Sequence, residues 1–216
     1  MSGRCLAGKE IRDGKLEQWI RPVSGREHQE ISEHDRRYED GTSAGLLDIV
    51  SIPMLNRVPH TYQSENWLIA EQHYWKKAGT ASLGQLEAAV DTVAGPLWIN
   101  GVSQSNDRIP EAQAATLTNS LLLVKPTNLR IRVAPKGDPT APNKRGVRAR
   151  FVLNWTEYSL VLTDPYVERK YLNGEDGTYP VPNAFLCVSL GEPFNGYVYK
   201  LAAALITPDR MGAGDV

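Results

Sequence analysis

Residues 147–162 read VRARFVLNWTEYSLVL, and this stretch decides the fold. Apolar and polar residues alternate on both sides of Asn154-Trp155, which is the period of a β-strand with one buried face. The buried positions in this pattern are Val147, Ala149, Phe151 and Leu153 before the turn and Tyr158, Leu160 and Leu162 after it. The sequence therefore predicts a β-hairpin whose second face, carrying Arg148 and Arg150, lies in water.

The segments around this hairpin fit a small β-barrel. Thr163-Asp164-Pro165 supplies a cap and a first-turn proline for a helix through Leu172, which Asn173-Gly174 ends. Further strands are predicted at residues 121–124, 129–133, 184–190 and 197–206. The turn-forming residues 191–196 form a loop between the last two strands. A helix between the third and fourth strands is the OB arrangement, although the number of strands alone does not separate it from other small barrels.

The first half is also β-rich, and it opens with a hairpin. Asp13-Gly14 predicts a two-residue turn between strands at 3–11 and 16–23. The acid-rich residues 24–43 have loop composition. Residues 46–55 predict a buried strand, with Pro53 indicating an edge or a bend because proline has no N–H.

Helix signals then mark the middle of the chain. Ser82 is a candidate N-cap for a helix that closes at Gly95-Pro96, and Pro110 suits the first position of a short helix over 111–117. We place the domain boundary here. The sequence thus predicts a mainly β chain of two OB-like small β-barrels, an N-terminal lobe with long loops at 1–109 and a C-terminal lobe at 110–216.

Composition limits the function classes. The 216 residues fit two domains of about 100 residues each. With 24 basic and 25 acidic residues, the chain does not coat nucleic acid through bulk positive charge, so any polyanion site is local. Only Cys5 and Cys187 are present and no secretory leader pattern opens the chain, which predicts a reducing cytoplasm. No apolar run approaches the ~20 residues of a membrane helix, so no membrane partner is expected.

The strongest local charge signal lies between residues 130 and 150. Asp138 is the one acid there, among the basic residues Arg130, Arg132, Lys136, Lys144, Arg145, Arg148 and Arg150. Arginine and lysine bind phosphate by displacing counterions and by forked hydrogen bonding, so this cluster predicts a nucleic-acid contact. The alternative is the solvated face of an edge hairpin. Residues 136–145, rich in Gly, Pro and Asn, have the composition of a mobile loop beside such a face.

Aromatic residues give a second signal, because bases stack on them in single-stranded complexes. The candidates are Trp19, Trp67, Tyr74, Trp75, Trp98, Trp155 and Tyr158, most of which suit a core equally well. Trp155, at a predicted hairpin tip, is the expected exception. Arg21 and Arg37 are further candidate anion ligands, and Arg37 lies close enough to Glu39 and Asp40 to form a structural ion pair instead.

Catalytic patterns are weak. A polar cluster in the first half can line a pocket or simply cap a loop; its residues are His60, Gln63, Glu65, Asn66 and Trp67. No spacing matches a metal site, and phosphate-loop, dinucleotide and nucleophile-elbow motifs are missing from the sequence, so no cofactor or metal and no catalytic residue is predicted. An enzyme alternative, a nuclease or nucleotide hydrolase, would use His34, Asp35, His60 and Glu65.

Five segments resemble the prokaryotic dual OB-containing domain family. They are Gly3-Arg4-Cys5-Leu6-Ala7-Gly8, Trp19-Ile20-Arg21-Pro22-Val23, Arg37-Tyr38-Glu39-Asp40-Gly41, Glu65-Asn66-Trp67-Leu68-Ile69 and Phe185-Leu186-Cys187-Val188-Ser189-Leu190-Gly191-Glu192-Pro193. The resemblance spans nearly the whole chain. It implies two OB-like barrels that recognise nucleic acid or nucleotides in bacterial conflict and phage defence. The family pattern has a short apolar strand before the Gly-Arg-Cys segment, so we expect the first barrel to be incomplete or closed differently here.

Three functions follow as hypotheses. The first is a nucleic-acid or nucleotide binding or sensing module that reports to a protein effector encoded nearby. The second is the nuclease or nucleotide hydrolase named above. The third is a structural subunit whose aromatic loops dock another protein.

Overall fold

The computed structural model describes residues 5–100, 106–137 and 144–211. They form two compact units. Unit 1 comprises the described parts of Met1–Ala89, Thr118–Ser120 and Arg210–Val216, and unit 2 comprises those of Val90–Leu117 and Leu121–Asp209. The two-lobe division at residues 109 and 110 stays a prediction. No helix within the described ranges has the length and apolar character needed to cross a membrane.

The strands of unit 1 form a four-stranded sheet and a separate two-stranded ribbon. Its elements are β1 (Gly8–Arg12), β2 (Lys15–Val23), β3 (Asp48–Ser51), β4 (Met54–Arg57), β5 (Asn66–Ile69), β6 (Lys76–Thr80) and α1 (Leu83–Ala88). The sheet has the order β1-β2-β5-β4, with β2 and β5 parallel, and the ribbon pairs β3 with β6. A small core of Ile31, Tyr38, Ile69 and Trp75 lies in this unit.

Local turn and cap chemistry in unit 1 follows the sequence. Asp13-Gly14 forms the predicted turn with both φ angles positive, at 51° and 75°. The predicted strand over 46–55 is instead two strands, β3 and β4, because the chain breaks at Ile52-Pro53. Ser82 caps α1 in a capping box with Gln85.

Helix α1 ends sooner than predicted, at Ala88 rather than near Gly95-Pro96. The chain leaves the helix because Asp91 bonds elsewhere: its backbone N–H donates to the Leu123 carbonyl at 2.8 Å, and its carboxylate accepts from the Leu123 N–H at 2.7 Å.

Unit 2 is built around an eight-stranded sheet. Its elements are β7 (Arg108–Pro110), α2 (Glu111–Ala114), β8 (Leu121–Val124), β9 (Thr127–Pro135), β10 (Arg145–Leu153), β11 (Thr156–Leu162), α3 (Pro165–Leu172), β12 (Gly177–Pro180), β13 (Phe185–Phe194), β14 (Tyr197–Ile206) and a 3₁₀ turn (Pro208–Arg210, whose last residue falls in unit 1). The strand order is β12-β9-β10-β11-β14-β13-β8, and β7 pairs with β14.

The strand pairing in unit 2 closes on itself, because its path begins and ends on the same bent segment of the chain. β8 and β9 are separated only by Lys125-Pro126, and they lie at opposite ends of the path β9-β10-β11-β14-β13-β8. Counting β8 with β9 and β12 with β13 as single bent strands gives the order 1-2-3-5-4-1, with the third and fifth strands parallel. Helix α3 lies between the third and fourth strands, which is the predicted OB arrangement.

The core of this barrel confirms the alternation in residues 147–162. Phe151 and Tyr158 stack with ring centroids 5.3 Å apart, and Ala149 and Leu160, paired across β10 and β11, are fully buried. Asp164 caps α3 through the Val167 N–H, as the sequence predicts.

Two predictions for this half were wrong in extent. Most of the predicted loop over 191–196 is strand: β13 runs to Phe194 past a bulge, and only Asn195-Gly196 turns. Pro110 is not the first residue of a helix over 111–117. It pairs with Tyr197 at the end of β7, and α2 spans only Glu111–Ala114.

The four-stranded sheet of unit 1 resembles part of the same barrel. Its order, β1-β2-β5-β4 with β2 parallel to β5, corresponds to strands 2-3-5-4 of unit 2. Among the described residues, no strand takes the place of the first strand, so this sheet path is open.

Candidate nucleic-acid interface

Four arginines share the outer face of β9 and β10. Their neighbours Leu129, Ile131, Val133, Val147, Ala149 and Phe151 point into the core, so the alternation turns the arginines outward. The register sets Arg130 opposite Arg150 and Arg132 opposite Arg148. We call this two-by-two block the arginine face; it consists of Arg130, Arg132, Arg148 and Arg150.

Like charges directly opposite each other on paired strands repel, so the arginine face is destabilising unless anions compensate it. Arg130 and Arg150 are exposed, and neither forms an ion pair with any residue in the described part of the chain. Arg132 has one long hydrogen bond, 3.4 Å to Thr178 Oγ1 on β12. Three of the four guanidinium groups are therefore accessible to an anionic ligand.

Arg148 has a different environment. Its Nη2 donates to Asp107 Oδ2 at 2.7 Å, its Nε donates to Ser159 Oγ at 3.1 Å, and Nη2 also contacts the Ser159 carbonyl. The side chain keeps 38% of its surface exposed. Asp107 thus neutralises this arginine while leaving it within reach of solvent.

Arg145 lies off the arginine face. Its Nε is 2.8 Å from Asp176, and its guanidinium donates to the carbonyls of Leu172 and Gly174 at 3.2 and 2.7 Å. These bonds satisfy the carbonyl end of α3, a common role for a basic side chain. The geometry therefore favours a structural role for this residue.

The exposed Lys144 lies near the end of the predicted mobile loop, and its carbonyl accepts from the Lys136 N–H at 2.8 Å. The Lys136 stem lies over Gly146, where an added Cβ would come within 2.9 Å of its Cε. This keeps Lys136 on the same side of β10 as Arg148. Asp138, the one acid of this region, and most of the loop, residues 138–143, lie outside the described residues.

Trp155 is 99% exposed at the tip of the β10–β11 hairpin, as predicted. Asn154 and Trp155 have φ angles of 48° and 63°, which is the two-residue turn that normally favours glycine. The Asn154 Nδ2 donates to the Val93 and Gly95 carbonyls, and these bonds anchor the turn. A bulky indole in a strained conformation, with no core to fill, is available to a ligand.

The candidate pocket residues of unit 1 are mostly buried and engaged with one another. Glu65 accepts from the Ser120 N–H at 2.9 Å and from the Ser120 hydroxyl, and Asn66 donates to Gln63 at 3.1 Å. His60 is exposed in a turn closed by Gln63. Trp67, on β5, is half-buried, with the Arg57 guanidinium 6.0 Å from its ring centroid. Glu65 therefore tethers the 118–120 segment within this unit.

Arg21 and Arg37 also have internal partners. Arg21 is 9% exposed and donates to Ser120 Oγ at 2.7 Å, with Glu65 4.0 Å away. The predicted ion pair of Arg37 with Glu39 or Asp40 is wrong: its guanidinium lies 5.5 Å from the Tyr74 ring centroid, and Asp40 instead accepts from Thr42.

Asp35 and His34 lie in the loop over 24–43. Burial alone would raise the pKa of Asp35, but hydrogen bonds from Arg26 and Ser32 outweigh it and hold that pKa below its ordinary value. His34 is exposed. The described residues contain no group of three or more His, Cys, Asp or Glu side chains placed to hold a metal ion.

Sequence reasoning missed Asp107 and Lys200, both of unit 2. Lys200 is 1% exposed; its Nζ donates to the Ile99 carbonyl at 2.8 Å and lies 5.5 Å from the Tyr158 ring centroid. Burial lowers the pKa of Lys200 to about 8, against a smaller opposite effect of Asp107. No local pattern marks either residue, because their partners lie far away in sequence.

Similarity to known proteins is found at the level of the family. No curated protein and no solved structure gives a significant match to the chain. A family model, described as dual OB-containing domain, matches residues 1–205. The match agrees with the strand order of unit 2 and the related order of unit 1. The chain therefore belongs to the dual OB-containing domain family.

Proposed function

We propose that this protein is a nucleic-acid binding or sensing module whose contact surface is the arginine face together with Trp155. The observation that supports this most is the grouping of four arginines on one face of two paired strands, in a chain whose total charge is nearly balanced. They are Arg130, Arg132, Arg148 and Arg150. Arg130 and Arg150, which face each other without an ion-pair partner in the described part of the chain, repel in the free protein and are compensated when phosphates bind.

The position of the block within the barrel supports the proposal. The block lies on β9 and β10, the first and second strands of the barrel in unit 2. OB folds bind oligonucleotides on the face of their second and third strands, which here are β10 and β11. Trp155 closes the hairpin between them. Arginines offer contacts to phosphate and the indole offers a stacking surface for a base, so the two together suit a single strand.

The setting completes the proposal. We place the protein in a prokaryotic defence system, acting in the cytoplasm and reporting a bound strand to a protein effector encoded nearby. This part rests on the family, and it is tested separately by deleting the gene and its neighbours and measuring phage plating.

The direct test is a titration of single-stranded DNA and RNA at about 50 mM and about 200 mM salt, with and without divalent metal. We expect retention that weakens with salt and leaves the strand intact. Product that forms only with metal would favour the nuclease alternative, and no retention at the lower salt concentration would refute the proposed function.

A further inference from the structure

Asp107 holds the position on Arg148 that a phosphate would take. Its Oδ2 accepts from Arg148 Nη2 at 2.7 Å, and Arg148 shares the outer face of β10 with Arg150, opposite Arg130 and Arg132 of β9. A carboxylate and a phosphate both accept from a guanidinium in this way. At one of the four arginines, a carboxylate of the same chain therefore occupies the place where an anion would bind.

The two partners are held independently of each other. Ser159 on β11 orients Arg148 through its hydroxyl and its carbonyl. The Asp107 backbone is held by the Lys200 N–H, which donates to its carbonyl at 2.8 Å, and the neighbouring Asn106 donates to the Glu157 carbonyl at 3.0 Å. Rotation of the Asp107 side chain alone would therefore leave Arg148 in place, still pointing outward.

We propose that Asp107 is an internal competitor for the phosphate site on Arg148, displaced when a nucleic-acid strand binds. This inference rests on the proposed function and adds a selection rule. A tethered carboxylate outcompetes a single free phosphate. A strand already held at Arg130 and Arg150 presents its next phosphate at high effective concentration and displaces the carboxylate. The site therefore favours strands over mononucleotides.

The test compares Asp107→Asn with Asp176→Asn. Each substitution removes one negative charge from a carboxylate that pairs with an arginine of β10, but Asp176 pairs with Arg145, off the arginine face. The probes are a single strand of about 16 nucleotides, as DNA and as RNA, and adenosine monophosphate. Asp107→Ala serves as a second variant, and thermal melts check the fold of each protein.

We expect Asp107→Asn to bind the strand about two- to five-fold more tightly, because the strand no longer has to break one exposed ion pair. The dependence of log K on log salt should stay the same, because the strand contacts Arg148 in both the parent and the variant. Adenosine monophosphate should bind the variant measurably better than the parent. Asp176→Asn should change none of these, and adding Arg148→Gln to Asp107→Asn should abolish the gain.

Four results would overturn the inference: unchanged or weaker strand binding by both Asp107 variants, equal tightening by Asp176→Asn, or a gain that persists without Arg148. The fourth is a salt dependence steeper by about 0.7 in the Asp107 variants, which would mean that the strand does not contact Arg148 in the parent. If neither the parent nor the Asp107 variants bind any strand, the proposed function fails as well. Binding by the parent with an unchanged Asp107 variant refutes only the competitor.

Discussion

Replacing Trp155 with glycine separates the role of its ring in binding from its role in folding. The indole is 99% exposed, so its removal sacrifices no buried apolar area. Its φ of 63° lies in the left-handed region, which costs an L residue about 1–2 kcal/mol. Glycine avoids that cost but loses about 0.5–1 kcal/mol more chain entropy on folding. The free energy of unfolding should therefore rise by roughly 0.5–1 kcal/mol, or about 1–4 °C in Tm for a chain of this size.

The same substitution, Trp155→Gly, should weaken the binding of single strands although it stabilises the fold. Loss of one stacked base costs about 1–3 kcal/mol, so Trp155→Gly should weaken single-strand affinity by about 5- to 150-fold. Thermal melts and fluorescence anisotropy with a labelled strand measure the two effects on the same samples, and Trp155→Phe, which keeps a ring, should retain part of the affinity. Unchanged affinity in Trp155→Gly would refute the stacking role. Weaker binding accompanied by a lower Tm would show damage to the hairpin instead.

Three further outcomes test other parts of the structure. Arg130→Gln with Arg150→Gln should weaken strand binding across sequences and reduce the salt slope by about 1.4, whereas two-salt titration of Arg169→Gln, on α3, should show no change. Glu65→Ala should lower the free energy of unfolding by about 1.5–3 kcal/mol in chemical denaturation, because the buried N–H and hydroxyl of Ser120 lose their acceptor. An unchanged free energy of unfolding would contradict this. Burial lowers the pKa of Lys200 to about 8 from its ordinary 10.5, so the unfolded chain binds more protons between these values. The stability of the parent relative to Lys200→Met should therefore rise between about pH 8 and about pH 10.5, and a constant difference would argue against the burial effect.

The hairpin over 147–162 could be predicted because its signal is local and redundant. Phe151 and Leu160 fall on the same period-two pattern, and both are buried as that pattern requires. The cap of helix α3 at Asp164 could be predicted for the same reason. Pro193 misled the prediction, since proline usually marks a turn, whereas a bulge in β13 lets it lie within the strand.

Contacts between distant segments could not be predicted. Asp107 reaches Arg148 across 41 positions, and Lys200 reaches Ile99 across 101. Such pairs depend on which strands become neighbours, and the pairing of β7 with β14 has no signature in the short segment Arg108–Pro110. The sequence predicts the four arginines of the arginine face, but it does not predict that Asp107 pairs with one of them.

The sequence predicts several arginines as anion ligands, but the structure shows that they differ in the interactions that must break before an anion can bind. Arg21 is 9% exposed and already donates to Ser120, so an anion reaching it must first open the packing of unit 1 and break that bond. Arg150 is exposed, opposes another arginine, and pairs with no carboxylate in the described part of the chain, so a phosphate arriving there relieves repulsion and breaks no internal ion pair. Because the free energy of binding includes the interactions that must break as well as those that form, the same phosphate bond yields more affinity on β10 than on β2. This difference in the free state, rather than the number of arginines, favours the arginine face as the site of binding.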